Sequence, residues 1–125
     1  MQEVKNNLEL APLTTFKIGG SAQYFVDVRS QGEVKEAIQW AKEKGARLIV
    51  LSGGSNVLIP DGGLDALVMR MRGDLYEFND GEVDAWAGTS LLTLIQTAGR
   101  LGYGGWEKLA GIPGSIGGAV RGNAG

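Results

Sequence analysis

Between Ser30 and Lys44, the apolar residues Val34, Ala37, Ile38 and Ala41 recur at the three- and four-residue spacing of one helix face. Ser30 and Glu33 match a capping box, the pair that satisfies orphan amides at a helix start, and Gly45 stands where a helix C-terminus favours positive φ. On either side lie short runs of strand formers, Ala22–Val28 (AQYFVDV) and Arg47–Leu51 (RLIVL). The pattern predicts strand–helix–strand, a βαβ unit with a parallel pair. After the turn cluster Pro60-Asp61-Gly62-Gly63, Leu64–Met71 reads as another strand. Leu75–Phe78 and Glu82–Ala87 flank Asn79-Asp80-Gly81 and read as a hairpin. A second helix is expected over Thr89–Leu101, with Thr89 as N-cap, Leu91, Leu94, Ile95 and Ala98 on one face, and Gly102 near the C-cap. Met1–Ser21 reads as irregular, Val57–Ile59 as strand-like, and Tyr103–Gly125 as glycine-rich with no terminating element. The sketch is α+β, with a parallel start, an antiparallel middle and no repeat of 20–50 residues.

Composition narrows the chemistry. The 125 residues contain neither cysteine nor histidine. That excludes disulfides, thiolate metal sites, a Cys nucleophile, a Ser-His-Asp triad and any imidazole base, and no metal site is expected. Twelve Lys and Arg against 14 Asp and Glu give a net charge of −2, with no basic block to track a nucleic-acid backbone. The polar N-terminus lacks a signal-peptide core, and no apolar run reaches bilayer-spanning length, so a cytoplasmic protein with no membrane partner is expected. Nothing in the sequence sets an oligomeric state. The excess is in glycine: 21 of 125 residues, about 17% against a typical usage of about 7%. The glycines sit among Ile, Val, Leu and Ala rather than in Ser-rich linkers. They suit either tight turns in a strand-rich fold or loops whose backbone approaches a ligand.

Two segments carry that second possibility. Ser52-Gly53-Gly54-Ser55-Asn56 directly follows the strand RLIVL. A turn of such small residues presents backbone N–H groups outward and forms an anion nest, with Ser55 and Asn56 adding side-chain hydrogen bonds. It is neither a Walker A loop nor a Rossmann fingerprint, because Val57-Leu58-Ile59-Pro60 follows instead of a helix. An ordinary turn is the competing reading. The second segment, Gly111-Ile112-Pro113-Gly114-Ser115-Ile116-Gly117-Gly118-Ala119-Val120, is both glycine-rich and apolar. That combination fits a backbone laid against a flat ligand, with Asn123 near enough to bond a heterocycle edge; a tight helix–sheet crossing is the alternative. Arg121 stands beside it and is suited to a phosphate or carboxylate. Asp61 and Asp65 fit turn and edge roles better than a paired-carboxylate site. Trp86 and Trp106 suit a core as well as a stacking role.

Taken jointly, three blocks resemble the UDP-N-acetylenolpyruvoylglucosamine reductase family: Leu10–Gly20 (LAPLTTFKIGG), Leu51–Ile59 (LSGGSNVLI), and Leu109–Val120 (LAGIPGSIGGAV) with Asn123-Ala124-Gly125. The resemblance implies the FAD-binding fold of the vanillyl-alcohol oxidase (PCMH) type, built from two small α+β subdomains, about residues 1–72 and 73–125. It assigns Ser52, Gly53, Gly54, Ser55, Asn56 and Val57 to the FAD pyrophosphate. Gly111, Ile112, Pro113, Gly114, Ser115, Gly117, Gly118, Ala119 and Asn123 are assigned to the phosphate and isoalloxazine portions. It further implies NADPH as hydride donor and, as substrate, the enolpyruvyl ether of UDP-N-acetylglucosamine, reduced to UDP-N-acetylmuramate in peptidoglycan precursor synthesis.

Members of that family are roughly twice this length or longer, which is several domains' worth of chain. The resemblance therefore implies an incomplete C-terminus. It places the substrate domain and the catalytic arginine, serine and glutamate beyond Gly125, so no residue here is expected to be catalytic. Arg121-Gly122 departs from the Tyr-Met pair of many relatives. Exposed apolar surface at Ile116 and Val120, weak or absent FAD binding and no turnover are the expectations for these 125 residues. Another FAD-linked oxidase of the same fold, or a non-catalytic truncated module, are the alternative readings.

Overall fold

The computed structural model describes residues Met1–Gly125 and divides into two compact units, Met1–Arg72 and Gly73–Gly125. Both are mixed α and β. No helix is long and apolar enough to cross a membrane.

In the first unit, β1 (Lys5–Glu9), β2 (Ser21–Val28), β3 (Leu48–Leu51) and β4 (Leu64–Met71) form one sheet in the order β1-β2-β4-β3. β2 and β3 each pair with β4 in parallel, and β1 pairs with β2 antiparallel. The expected pairing of the 22–28 and 47–51 strands is corrected accordingly: they run parallel, but β4 lies between them. The reason is burial. Ala66, Leu67, Val68 and Met69 of β4 are all buried, on both faces, which is the habit of a central parallel strand. β1 also corrects the expectation of an irregular N-terminus. Its KNNLE sequence lacks strand formers and is mostly exposed, as an edge strand tolerates. Val57–Ile59 is not a strand; Ile59 enters the core from a loop.

Helix α1 (Gln31–Lys44) has the expected ends. Ser30 Oγ accepts from the Glu33 amide at 3.2 Å, the Glu33 carboxylate accepts from the Arg29 amide at 2.7 Å, and Gly45 closes the helix at φ 64°. Ala37 and Ala41 pack on Val26, Val28, Leu67 and Met69. The other face of the sheet is covered by loops: Leu10 and Ile59 meet Phe25, Val68 and Leu51 there.

In the second unit, β5 (Tyr76–Asn79) and β6 (Glu82–Ala85) form the expected hairpin. Asp80 and Gly81, at φ 49° and 80°, supply the two left-handed residues of a tight two-residue turn. Helix α2 (Leu91–Arg100) starts one residue later than expected. Ser90, not Thr89, is its N-cap and accepts from the Thr93 amide at 3.3 Å. Thr89 is fully buried, and its hydroxyl donates to the Leu75 carbonyl and accepts from the Leu75 amide, each at 3.1 Å. A short helix α3 (Ile116–Arg121) lies in the segment expected to have no element. Gly117 and Gly118 within it are poor helix formers, which hides it from a propensity reading.

Asp27 and Arg70 face each other across β2 and β4. Arg70 Nε–H donates to Oδ1 at 2.6 Å and Nη2–H to Oδ2 at 3.0 Å, and the guanidinium lies 5.3 Å from the Phe25 ring centre. Burial alone pushes the Asp27 carboxyl up, but the Arg70 hydrogen bond and charge, helped by Arg72 and Arg29, hold it below its ordinary value of 3.8. A carboxyl lowered on folding contributes stability above its unfolded pKa and loses it as pH falls through the folded value. Asp27→Asn should therefore melt lower than the parent at about pH 6, with the gap closing by about pH 2, read from thermal melts across that range. A constant gap would mean that packing, not ionisation, sets the effect.

Candidate functional site

The Ser52–Val57 segment leaves the carboxyl end of β3, in a sheet whose two parallel pairings direct β2, β3 and β4 the same way at that end. Crevices outside the carboxyl ends of parallel strands are where open α/β sheets take ligands. The last residue of β3, Leu51, is level with Arg70 of β4, which is level with Asp27 of β2. The Asp27–Arg70 pair thus ties β2 to β4 in the row just before the turn. Within the turn, Gly53 and Asn56 are exposed, Ser52, Ser55 and Val57 are half-buried, and Gly54 is buried.

Gly54 shows why this turn keeps its shape. It adopts φ 71°, and a Cβ there would sit 2.2 Å from the Leu13 carbonyl oxygen and 3.0 Å from Thr14 Cα. Its carbonyl accepts from the Thr15 amide at 3.0 Å. The Leu10–Gly20 segment is therefore the back wall of the Ser52–Val57 turn. That segment is braced internally. Thr14 is buried, and its hydroxyl donates to the Ala11 carbonyl and accepts from the Lys17 amide, both at 3.1 Å. The Gly20 amide donates to the Pro60 carbonyl at 2.9 Å, and the Leu10 amide to the Gly20 carbonyl at 3.1 Å. Two of the three sequence blocks are thus one assembly within the first unit. Sequence alone gives the Thr14 side chain no role of its own; its one signal is the Thr14-Thr15 pair within the Leu10–Gly20 block.

In the second unit, Gly111–Val120 packs along the segment 87–91. The Leu91 amide donates to the Gly114 carbonyl at 3.0 Å, the Ile116 amide to the Thr89 carbonyl at 2.8 Å, and the Gly117 amide to the Ala87 carbonyl at 2.8 Å. A Cβ at Gly117 would lie 3.0 Å from both the Ala87 Cβ and its carbonyl oxygen. Ser115 is buried and caps α3, its Oγ accepting from the Gly118 amide at 3.1 Å; the Ala119 amide donates to the Ser115 carbonyl at 2.9 Å. The amides of Ile116, Gly117, Gly118 and Ala119 are thus all engaged within the chain. Gly111 differs: it is exposed, its φ is not left-handed, and a Cβ there would meet nothing within 4 Å. Ile112, Gly114 and Ile116 are half-buried, Pro113 and Asn123 exposed, and Asn123 adopts φ 51°. Val120 is 76% exposed, and Arg121 also faces solvent. Asp61 lies in the turn before β4 and Asp65 near its start, both exposed; Trp86 is half-buried and Trp106 exposed.

Comparison with known proteins bears on both segments. The sequence profile of a family described as an FAD binding domain matches residues 22–125. The UDP-N-acetylenolpyruvoylglucosamine reductase of Synechococcus sp. (strain JA-3-3Ab) is 39% identical over 125 residues, covering 98% of this chain and 40% of that protein. The protein of the same name from Solibacter usitatus (strain Ellin6076) is 41% identical over 122 residues, covering 98% and 39%. The crystal structure of UDP-N-acetylenolpyruvylglucosamine reductase (MurB) from Thermus caldophilus matches with a TM-score of 0.81 at 36% identity, over 100% of this chain and 44% of that one. The chain spans about two-fifths of the length of these relatives.

The three glycines separate by what an added methyl group would do. Gly54→Ala combines a left-handed backbone with a backbone clash and should destabilise the first unit by about 3 kcal/mol or more. Gly117→Ala, pressed against Ala87, should cost about 1–3 kcal/mol in the second. Gly111→Ala should stay within about 0.5 kcal/mol of the parent. Urea denaturation followed by circular dichroism ranks them, and a Gly54→Ala variant as stable as the parent would contradict the back-wall geometry.

Proposed function

This chain belongs to the FAD binding domain family, and we propose that it is the FAD-binding portion of a UDP-N-acetylenolpyruvoylglucosamine reductase. The observation that carries this reading is the turn at the carboxyl end of β3, whose residues from 52 to 56 are all Ser, Gly or Asn. It is braced from behind by Leu10–Gly20, so its backbone is held in place by contacts that leave Gly53 and Asn56 open to solvent.

In this reading Ser52, Gly53, Gly54, Ser55, Asn56 and Val57 hold the FAD diphosphate, with backbone amides as donors and the Ser55 and Asn56 side chains adding hydrogen bonds. The fit is physical: an anion needs convergent donors and no bulky side chain in the way, and this turn has no side chain larger than Asn before Val57. Gly111, Ile112, Pro113, Gly114, Ser115, Gly117, Gly118, Ala119 and Asn123 line the remainder of the cofactor. Because the amides of residues 116–119 already serve the chain, this block works by close approach of its backbone and by the Asn123 amide group rather than as a donor nest. Gly111 suits that role best, since no contact within the chain requires a glycine there. The flavin, when bound, supplies hydride transfer from NADPH to the enolpyruvyl group of a UDP-linked sugar. The chain's own residues bind and orient the cofactor, and none supplies the proton. The whole enzyme works in the cytoplasm in peptidoglycan precursor synthesis, and these 125 residues alone do not turn over.

Titrating FAD into the isotope-labelled chain tests the reading. Weak binding is expected, with amide resonances moving at residues 52–57 and 111–123 and no NADPH oxidation in the presence of the nucleotide sugar. Gly111→Ala should weaken that binding several-fold while the melting temperature holds. Resonances that move only elsewhere, or not at all, would overturn the assignment.

A further inference from the structure

The Ser52–Val57 turn carries no cationic side chain of its own, although the ligand assigned to it presents two phosphate charges. The back wall supplies one. Lys17 lies two residues after Thr15, whose amide is bonded to the Gly54 carbonyl. The Lys17 ammonium folds back and donates to the Pro12 carbonyl at 2.9 Å. The next carbonyl along, that of Leu13, is the one against which Gly54 is pressed. The charge is therefore anchored on the same short stretch of backbone, Pro12–Thr15, that abuts the turn.

The backbone at Lys17 points the same way. Its φ is 57°, the left-handed region that glycine enters freely and a residue with a Cβ does not. The Thr14 hydroxyl accepts from its amide and holds it there. A glycine would satisfy this turn with less strain, as Gly19 does two positions later at φ 122°. Strain of this kind, held by surrounding contacts, gathers at ligand sites. The ammonium has three N–H donors, and the Pro12 carbonyl takes one.

We propose that Lys17 is a phosphate-contacting residue of this site, its anchored ammonium donating to the diphosphate held at Ser52–Val57. The proposal rests on the FAD-binding reading above. Charge-assisted contacts of this kind are sensitive to salt, whereas contacts to the uncharged flavin ring are not.

Lys17→Gly removes the charge and relieves the backbone, so it should melt no lower than the parent, and any loss of binding is not loss of fold. FAD and riboflavin, which shares the ring and lacks phosphate, are titrated into the parent, Lys17→Gly and Lys17→Arg chains at low and high salt, read by amide resonances. FAD binding by Lys17→Gly should fall about three- to fivefold at low salt, converging with the parent at high salt. Riboflavin should be unaffected, and Lys17→Arg should keep most of the FAD affinity. Parent-like FAD binding by Lys17→Gly, or an equal fall for riboflavin, overturns the role of Lys17 and leaves the FAD reading standing. A parent chain in which FAD moves no resonance of residues 52–57 overturns both.

Discussion

Gly54 and the Leu13–Thr15 backbone approach each other more closely than any side chain permits, and the loop face of the first unit is organised around that approach. The contact is backbone against backbone, so it carries no apolar pattern and gains little from the hydrophobic effect. Its stability comes from neighbours: Thr14 buried with both hydrogen-bonding roles of its hydroxyl used, and Leu10 and Ile59 filling the core beneath. The turn after β3 is thereby held from behind while its outer edge stays uncovered. A rigid support under an accessible backbone is what allows amide donors to act without reorganising when an anion arrives.

The second unit repeats the device with different parts. Gly117 lies against Ala87, Thr89 bridges both polar groups of Leu75, and Ser115 caps α3 beside Ser90. Three hydroxyl-bearing residues, Thr89, Ser90 and Ser115, replace longer ladders of backbone pairing in a unit whose only sheet is a two-stranded hairpin. Buried hydroxyls with partners fix a chain path, whereas apolar contacts alone would allow it to slide.

The elements that were legible in the sequence are those with local causes. Ser30, Glu33 and Gly45 fix α1 through interactions within a few residues, and Asp80-Gly81 fixes the hairpin through its own dihedral angles. Leu64–Met71 was legible as a strand but not as the centre of the sheet, because strand order depends on distant partners, such as Asp27 opposite Arg70. β1 was not legible: KNNLE becomes a strand only because β2 offers an edge to pair with. Helix α3 was hidden by its glycines, and the Ser90 cap by an adjacent threonine that is also a capping type but whose hydroxyl is taken by the Leu75 backbone. For the candidate site, a small-residue turn after a buried strand could be read directly. The wall behind it could not, since the Thr15–Gly54 bond joins segments 39 residues apart and leaves no periodic trace.

Strand order also governs how the first unit comes into being. β2 and β3 both precede β4 in the chain, yet neither has its parallel partner until Leu64–Met71 exists. In the growing chain the antiparallel β1–β2 pair and helix α1 have their own residues in place while β3 still lacks its partner. Both parallel pairings are completed only when the most buried strand takes its place between the other two, and the segment Ser52–Gly63, which links β3 to it, gains its second fixed end with that pairing.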